Sequence, residues 1–220
     1  MSDARDALGG AWIVGILGAP GAGKDTVADM LQQCMTPAFK LSFSTVLYEE
    51  VSKAYNVTIE WLQDRTNKDQ PQIALAPVYC VDPEMRAALS AKFMHRQPVS
   101  PREVLQTWGD HVRSKNPDYV INSVRNDLYA ALGAGISVIV PDVRTFSEFA
   151  LIEEAGQTIR VINPRIEQHL KNIRGMEHAL ENDLRTAQVN YTIVNKGSLD
   201  ELRDKVAALP MVNPVESRKI

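Results

Sequence analysis

Gly18-Ala19-Pro20-Gly21-Ala22-Gly23-Lys24-Asp25-Thr26 follows directly on an apolar, β-branched run, Trp12–Leu17. It leads into Val27, Met30, Leu31 and Cys34, which fall at i, i+3, i+4 and i+7. A strand, a glycine-rich turn with G-x-x-x-x-G-K spacing and an amphipathic helix, in that order, read as a phosphate-binding loop, or P-loop. The residue types follow from the task. Glycines let consecutive backbone N–H groups converge on a phosphate without a Cβ in the way, and the helix N-terminus behind them adds partial positive charge. Lys24 brings a mobile full charge to the β- and γ-phosphates of a nucleotide. The general pattern places Ser or Thr directly after the lysine as a magnesium ligand. Here that position holds Asp25, and the hydroxyl comes one residue later on Thr26. Gly18 to Thr26 are therefore the candidate ATP-binding residues, with Asp25 and Thr26 as candidates toward Mg2+ through water. The bland alternative is a glycine-rich turn with a chance lysine, and the combined context weighs against it.

Outward from the loop, four more short apolar segments read as strands: Ala38–Ser42, Ile136–Val140, Thr158–Ile162 and Tyr191–Val194. Helical patterns separate them. Leu47, Val51 and Ala54 mark one. Ser100-Pro101-Arg102-Glu103 is a capping box with proline at the first helical position and starts another, which runs to about Lys115 ahead of Pro117. Phe149, Ile152 and Ala155 mark a helix ended by Gly156, and Ser198 with Glu201 starts the last, which continues to Pro210. Buried runs alternating with helices imply an α/β fold, three-layer α/β/α, with a five-stranded parallel sheet. Residues 1–210 read as a single domain, with 211–220 as a fraying tail. From Arg65 to Pro98 the rhythm breaks: four prolines and only one helical pattern, Glu84–Phe93, mark an insertion of about 65–99 over one end of the sheet.

Composition bounds the partners. The chain has 220 residues, 24 Lys plus Arg against 27 Asp plus Glu and a formal charge of -3, with 45% hydrophobic and 23% charged residues. That is the profile of a soluble globular domain with enough apolar surface to fold. The balance argues against polymeric nucleic acid as a partner, since a polyanion needs a basic face. The longest apolar run, Ile136–Val140, is far short of a membrane span, and the N-terminal residues lack a signal-type apolar region. Cys34 and Cys80 have no CxxC spacing, so the expectation is a reduced, cytoplasmic protein.

A phosphate acceptor would need arginines, because two polyanionic groups repel each other. On a helical wheel Arg102, Gln106, Gly109 and Arg113 share one side of the Pro101 helix, while Val104, Leu105, Trp108 and Val112 take the other. The first face could receive a nucleotide or be an ordinary solvated face. The strand Ile136–Val140 runs into Pro141-Asp142-Val143-Arg144. Ligands of open α/β sheets bind at the carboxyl ends of strands, so Asp142 is a candidate to orient magnesium-bound water and Arg144 a candidate to reach the same crevice. A turn with a helix-dipole partner is the alternative. Between the fourth and fifth strands, about residues 163–186 are polar and carry Arg165, Lys171 and Arg174, which suit a lid or an exposed charged helix pair. Asn195-Lys196-Gly197-Ser198 is a turn where Lys196 and Gly197 are candidates to line an adenine site.

Three segments carry a resemblance. The loop with Gly23-Lys24-Asp25-Thr26, the stretch SPREVLQTWGDHVR (100–113) followed by NPDYV, and PDVRTFSEFALIEEAG (141–156) are similar to phage-type deoxynucleoside monophosphate kinases, within the P-loop nucleoside monophosphate kinase-like family. The likeness extends from Gly18 to about Leu202, interrupted over Arg65–Pro98. It implies a P-loop kinase fold with a substrate-binding insertion and a lid, and phosphorylation of dNMP by ATP with Mg2+. It also implies Lys24 on the transferred phosphoryl group, Arg102 and Arg144 on the substrate phosphate, and lid arginines such as Arg165 and Arg174 on the developing charge. Gln106, Trp108 and Arg113 would complete the substrate site, with Trp108 and the insertion as places to look for base discrimination. The resemblance suggests a homodimer, and a host cytoplasm if the gene is a phage's. The family often shows His-x-Ser-Glu in the lid, where this chain has His178-Ala179-Leu180-Glu181, which puts the roles of His178 and Glu181 in doubt. Phosphomevalonate- and dephospho-coenzyme A-type kinases have similar loops and remain the alternatives. A nucleotide switch or DNA-linked ATPase is a further one, disfavoured by the charge balance.

Overall fold

A computed structural model describes residues 11–172, 184 and 186–212 of the chain. In chain order its strands are β1 (Ile13–Leu17), β2 (Ala38–Lys40), β3 (Ser137–Val140), β4 (Gln157–Ile162) and β5 (Tyr191–Val194). Its helices are α1 (Lys24–Cys34), α2 (Thr45–Tyr55), α3 (Ile59–Gln63), α4 (Pro83–Lys92), α5 (Pro101–Lys115), α6 (Tyr119–Gly133), α7 (Phe146–Ala155), α8 (Pro164–Asn172) and α9 (Leu199–Ala207).

The strands form one sheet in the order β2-β3-β1-β4-β5, and every neighbouring pair is parallel. This is the α/β class and five-stranded parallel sheet expected from the sequence. The expected strand ends move slightly: Trp12 and Ile136 precede β1 and β3, and β2 stops at Lys40, although the Leu41 N–H still donates to the Ile139 carbonyl at 2.9 Å. β1 and β3 are buried along their whole length, which is why they read as apolar runs with Ser137 the one polar residue, whereas the edge strand β5 buries only Ile193 fully.

The two faces of the sheet are separable along β1, because successive side chains point to opposite sides. Val14 and Ile16 join Val27 and Leu31 of α1 and Leu202 and Val206 of α9 in one core. Gly15 points the other way, where a Cβ would lie 2.9 Å from Ile152 of α7 and 3.1 Å from Val143. Only glycine lets α7 come that close to the central strand. The chain leaves β1 toward β2 and leaves β3 toward β4, in opposite directions across the sheet. Right-handed crossovers then put α1 and α7 on opposite faces. The carboxyl ends of β1 and β3, side by side with Gly15 opposite Val140, flank the point where the two connections part.

The chain divides into two compact units, one of Met1–Phe43 with Val124–Ile220, the other of Ser44–Ser123. The first contains the sheet. The second buries Leu47, Val51, Leu62, Leu75, Leu89, Val104 and Trp108, and residues 65–99 lie within it. Between α3 and α4 that unit contains two single 3-10 turns, Ile73–Leu75 and Pro77–Tyr79, the second started by Pro77. Helix α5 begins with the capping box expected of it, with both halves formed between Ser100 and Glu103. Of the residues expected in the tail, Met211 and Val212 are described. Met211 is 6% exposed and lies in the core of α1 and α9, because its apolar side chain continues the buried row of Val206 and Leu209. Among the described residues no helix is long and apolar enough to cross a membrane.

Candidate functional site

The loop after β1 takes a conformation that needs its glycines. Gly18, Gly21 and Gly23 have φ of 143°, 79° and 101°, a region that side chains disfavour. A Cβ on Gly18 would lie 2.3 Å from the Val161 carbonyl oxygen of β4. The Ala22 N–H closes the turn on the Ala19 carbonyl at 3.1 Å. Helix α1 then starts from Gly23, which has no side-chain oxygen to cap it. By contrast α5, α7 and α9 begin with Ser or Thr caps. A helix start of this kind presents amide donors and a partial positive charge to an anion. Lys24 Nζ folds back to donate to the carbonyls of Gly18 at 2.5 Å and Ala19 at 3.0 Å, so its charge lies over the loop. Asp25 is exposed and Thr26 half-buried at the same helix start.

Two neighbours brace the loop. Asn195, after β5, donates from Nδ2 to the Ala22 carbonyl at 2.9 Å, while its own N–H donates to the Ile162 carbonyl at 2.7 Å. Its side chain occupies the space a Cβ on Gly23 would need, at 2.5 Å. Ile166 of α8 lies beside Gly21, 3.6 Å from where a Cβ would be. Helix α8 therefore starts against the loop, held by Asn163, whose Oδ1 accepts from the N–H of Arg165 at 3.1 Å and of Ile166 at 3.4 Å. Where the chain returns, Arg160 Nη2 donates to the carbonyls of Leu184 at 2.7 Å and Ala187 at 2.8 Å. Arg165 is exposed on the first turn of α8. Arg174, His178 and Glu181 lie outside the described residues, as does the side chain of Lys171.

Asp142 lies two residues beyond the end of β3. Its Oδ2 accepts from the Ser42 hydroxyl at 2.6 Å and its Oδ1 from the Phe43 N–H at 3.1 Å. Arg144 follows, exposed. Its N–H and that of Thr145 donate to Glu148 Oε2 at 2.7 and 3.1 Å, within a capping box that starts α7. Glu148 itself is 2% exposed and ties the turn after β3 to the helix. Among the described residues no group of three or more His, Cys, Asp or Glu could hold a metal ion. A divalent cation here would depend on phosphate oxygens plus one or two protein groups. That is how magnesium is usually held, and Asp25, Thr26 and Asp142 are the candidates the sequence offers for it.

In the second unit, Arg102 is exposed and makes a two-pronged contact with Asp69 through Nε and Nη2. The Arg102 hydrogen bond holds the Asp69 carboxyl below its ordinary range. Gln106 and Arg113 are half-buried on the same helix. Gly109 serves packing. It is buried, and a Cβ there would meet Arg113 Nη1 at 2.7 Å and Leu47 of α2 at 3.3 Å, so the glycine makes room for protein atoms. Trp108 is 3% exposed, and its indole N–H donates to Glu50 Oε2 at 2.8 Å, which makes it a core residue rather than an open platform for a base. The other Glu50 oxygen accepts from the Tyr119 hydroxyl, a bond that with partial burial pushes the phenol up to about 12. Lys196 and Gly197 are exposed after β5, with the Glu201 carboxylate folded over Gly197.

Asn195, Ser42, Asp69 and Glu148 were not among the candidates from the sequence. Only for Glu148 did a local signal exist, the T-x-x-E spacing of a capping box.

No protein-family profile matches the chain, and no curated protein does. Solved structures give distant likenesses. The protein TT1252 from Thermus thermophilus is 18% identical with a TM-score of 0.47, over 96% of this chain and 98% of that one. A sugar kinase from Janibacter sp. HTCC2649 is 13% identical with a TM-score of 0.42, over 93% and 97%. The APS kinase CysC of Mycobacterium tuberculosis, in complex with AMPPNP and APS, is 13% identical with a TM-score of 0.38, over 89% and 95%.

Proposed function

We propose that the chain is an ATP-dependent, small-molecule kinase of the P-loop kind whose acceptor is a deoxynucleoside monophosphate, giving dNDP and ADP. One observation carries the nucleotide half of this reading. Three glycines at positive φ, an α1 start without a side-chain cap and Lys24 folded over the loop converge at the carboxyl end of β1, next to β3, which Asp142 follows by two residues. The acceptor half rests on the resemblance of residues 100–113 and 141–156 to deoxynucleoside monophosphate kinases.

The chemistry asks little of an acid or base. An acceptor phosphate is already ionised at neutral pH, so alignment and charge neutralisation carry the catalysis. The loop amides would hold the β-phosphate, and Lys24 would exchange the Gly18 and Ala19 carbonyls for the β- and γ-phosphate oxygens. Magnesium, when bound, would supply further neutralisation of the phosphate charge. Asp142 is suited to accept hydrogen bonds from metal-bound water, with Asp25 and Thr26 at the helix start. Arg102 and Arg144 would take the acceptor phosphate, for which a guanidinium fork is well shaped. The lid arginines would meet the charge that develops in transfer.

The test is product analysis with ATP, magnesium and each of the four dNMPs, alongside phosphomevalonate and dephospho-coenzyme A. The expected result is ADP and dNDP in equal amounts with at least one dNMP. In Lys24→Met, kcat should fall by about 10²–10³, the usual loss when one charge-stabilising donor is removed. Turnover with another acceptor and with no dNMP would move the assignment to that acceptor. An unchanged Lys24→Met rate would sink the loop mechanism.

A further inference from the structure

Both oxygens of Asp142 are engaged by a segment that no motif singles out, the connection from β2 to α2. The Ser42 hydroxyl donates to Oδ2 at 2.6 Å and the Phe43 amide to Oδ1 at 3.1 Å. The two donors are themselves fixed. Leu41 extends the ladder with β3 through its N–H to the Ile139 carbonyl at 2.9 Å, so Ser42 starts one residue from regular sheet. Phe43 is 2% exposed, and its buried ring anchors the amide beside it. Asp142 itself lies in a turn beyond β3. Its terminal torsion is soft by nature. Two donors from one rigid connection set the plane of the carboxylate.

We propose that Ser42 is a positioning residue for a divalent-cation site: its hydroxyl, with the Phe43 amide, holds the Asp142 carboxylate in one orientation toward metal-bound water. The proposal rests on the reading of Asp142 above and adds to it the group that orients it. An ionised carboxylate accepts about four hydrogen bonds. Ser42 and Phe43 take one on each oxygen, which fixes the directions in which the carboxylate faces waters carried by a cation. Outer groups that orient a metal's ligands are usually worth about 10–100-fold in metal affinity or activity.

The same connection is where the first compact unit ends, at Phe43, and the second begins, at Ser44. The contact that fixes Asp142 is thus made by the last two residues before the chain enters the other unit.

The experiment compares Ser42→Ala, Ser42→Thr and Asp142→Asn with the parent in two assays. The first is binding of Mn2+ to the protein–ATP complex, read by the loss of free-ion EPR signal, which needs no turnover. The second is the kcat and KM of the kinase assay, with Tm measured alongside. For Ser42→Ala, Mn2+ affinity should weaken at least about tenfold, with kcat falling in parallel and both substrate KM values at saturating metal staying within about twofold. Ser42→Thr keeps the hydroxyl and should stay near the parent. If Asp142→Asn weakens Mn2+ binding but Ser42→Ala does not, the Ser42 assignment is overturned. So is it if Ser42→Ala and Ser42→Thr are impaired alike with a lowered Tm, which marks packing rather than positioning. If Asp142→Asn also leaves Mn2+ affinity unchanged, the reading of Asp142 fails and the Ser42 proposal with it. A parent that binds Mn2+–ATP but phosphorylates no dNMP loses only its acceptor assignment, and the binding arm still decides on Ser42.

Discussion

Replacing Gly23 by alanine tests the loop geometry and its brace together. Two costs can be worked out separately. The backbone at Gly23 has φ of 101° and ψ of 22°, left-handed, which costs an L-residue roughly 1–2 kcal/mol. The new Cβ would then lie 2.5 Å from Asn195 Nδ2, which must withdraw and give up its hydrogen bond to the Ala22 carbonyl. A bond of that kind contributes about 0.5–1.5 kcal/mol. Together Gly23→Ala should destabilise by about 1.5–3.5 kcal/mol, roughly 3–14 °C in Tm for a chain of this size. The assay is a double-mutant cycle by urea unfolding, with Asn195→Ala as the second change. Alone, Asn195→Ala should cost about 1 kcal/mol. In the Gly23→Ala background it should cost close to nothing, because the bond is already broken. ATP affinity should follow the same pattern. Strict additivity of the two changes, or a Gly23→Ala protein as stable as the parent, would refute the argument that Asn195 and the glycine share one space.

Three further outcomes follow from other contacts. Glu148→Ala leaves the amides of Arg144 and Thr145 without their acceptor at the start of α7 and should lose about 2–4 kcal/mol in urea unfolding, while Glu148→Gln keeps one oxygen and should lose less. The Tyr119 phenol is raised from its ordinary 10 to about 12 in the folded state, so folding favours its protonated form. That stability is whole below pH 10 and lost as pH climbs toward 12. The Tm difference between the parent and Tyr119→Phe should therefore shrink over that window and stay flat below it. Asp69→Asn removes the negative charge paired with Arg102 and should lower the acceptor KM severalfold, while Tm barely moves because the pair is exposed. An unchanged KM would separate Arg102 from acceptor binding.

The readable parts of the chain were those whose cause is local. β1 and β3 are buried on both faces and so are apolar but for Ser137, and the glycine–lysine loop declares itself within nine residues. The capping boxes at Ser100 and Thr145 also sit within four residues of sequence. Helix α6 went unread although Val120, Val124, Leu128 and Leu132 recur every fourth position; Pro117, just before it, reads as a stop rather than a start. The brace at Asn195 joins residues 173 positions apart and the Ser42–Asp142 contact joins residues 100 apart, so neither leaves a local trace. Trp108 is buried on the side of α5 that the wheel made apolar. A helical wheel separates the two sides of α5 but does not say what meets them, and Gly109 meets Leu47 and the Arg113 guanidinium rather than open space.

The strand order bears on how the protein is made. β1 lies in the middle of the sheet, between β3 and β4, and neither of these is its neighbour in sequence. About 120 residues of chain separate Leu17 from Ser137, its first partner strand. At a ribosomal pace of 5–20 residues per second, the apolar run Ile13–Leu17 waits roughly 6–24 s without a sheet to join. All of Ser44–Ser123 emerges within that interval, so the second unit can close its own core first. The phosphate loop, for all that it stands near the N-terminus, is finished late in synthesis. The nascent chain must be kept from aggregating through β1 for that time, and conditions that slow translation between residues 18 and 137 should lower the soluble yield more than the same slowing after residue 162.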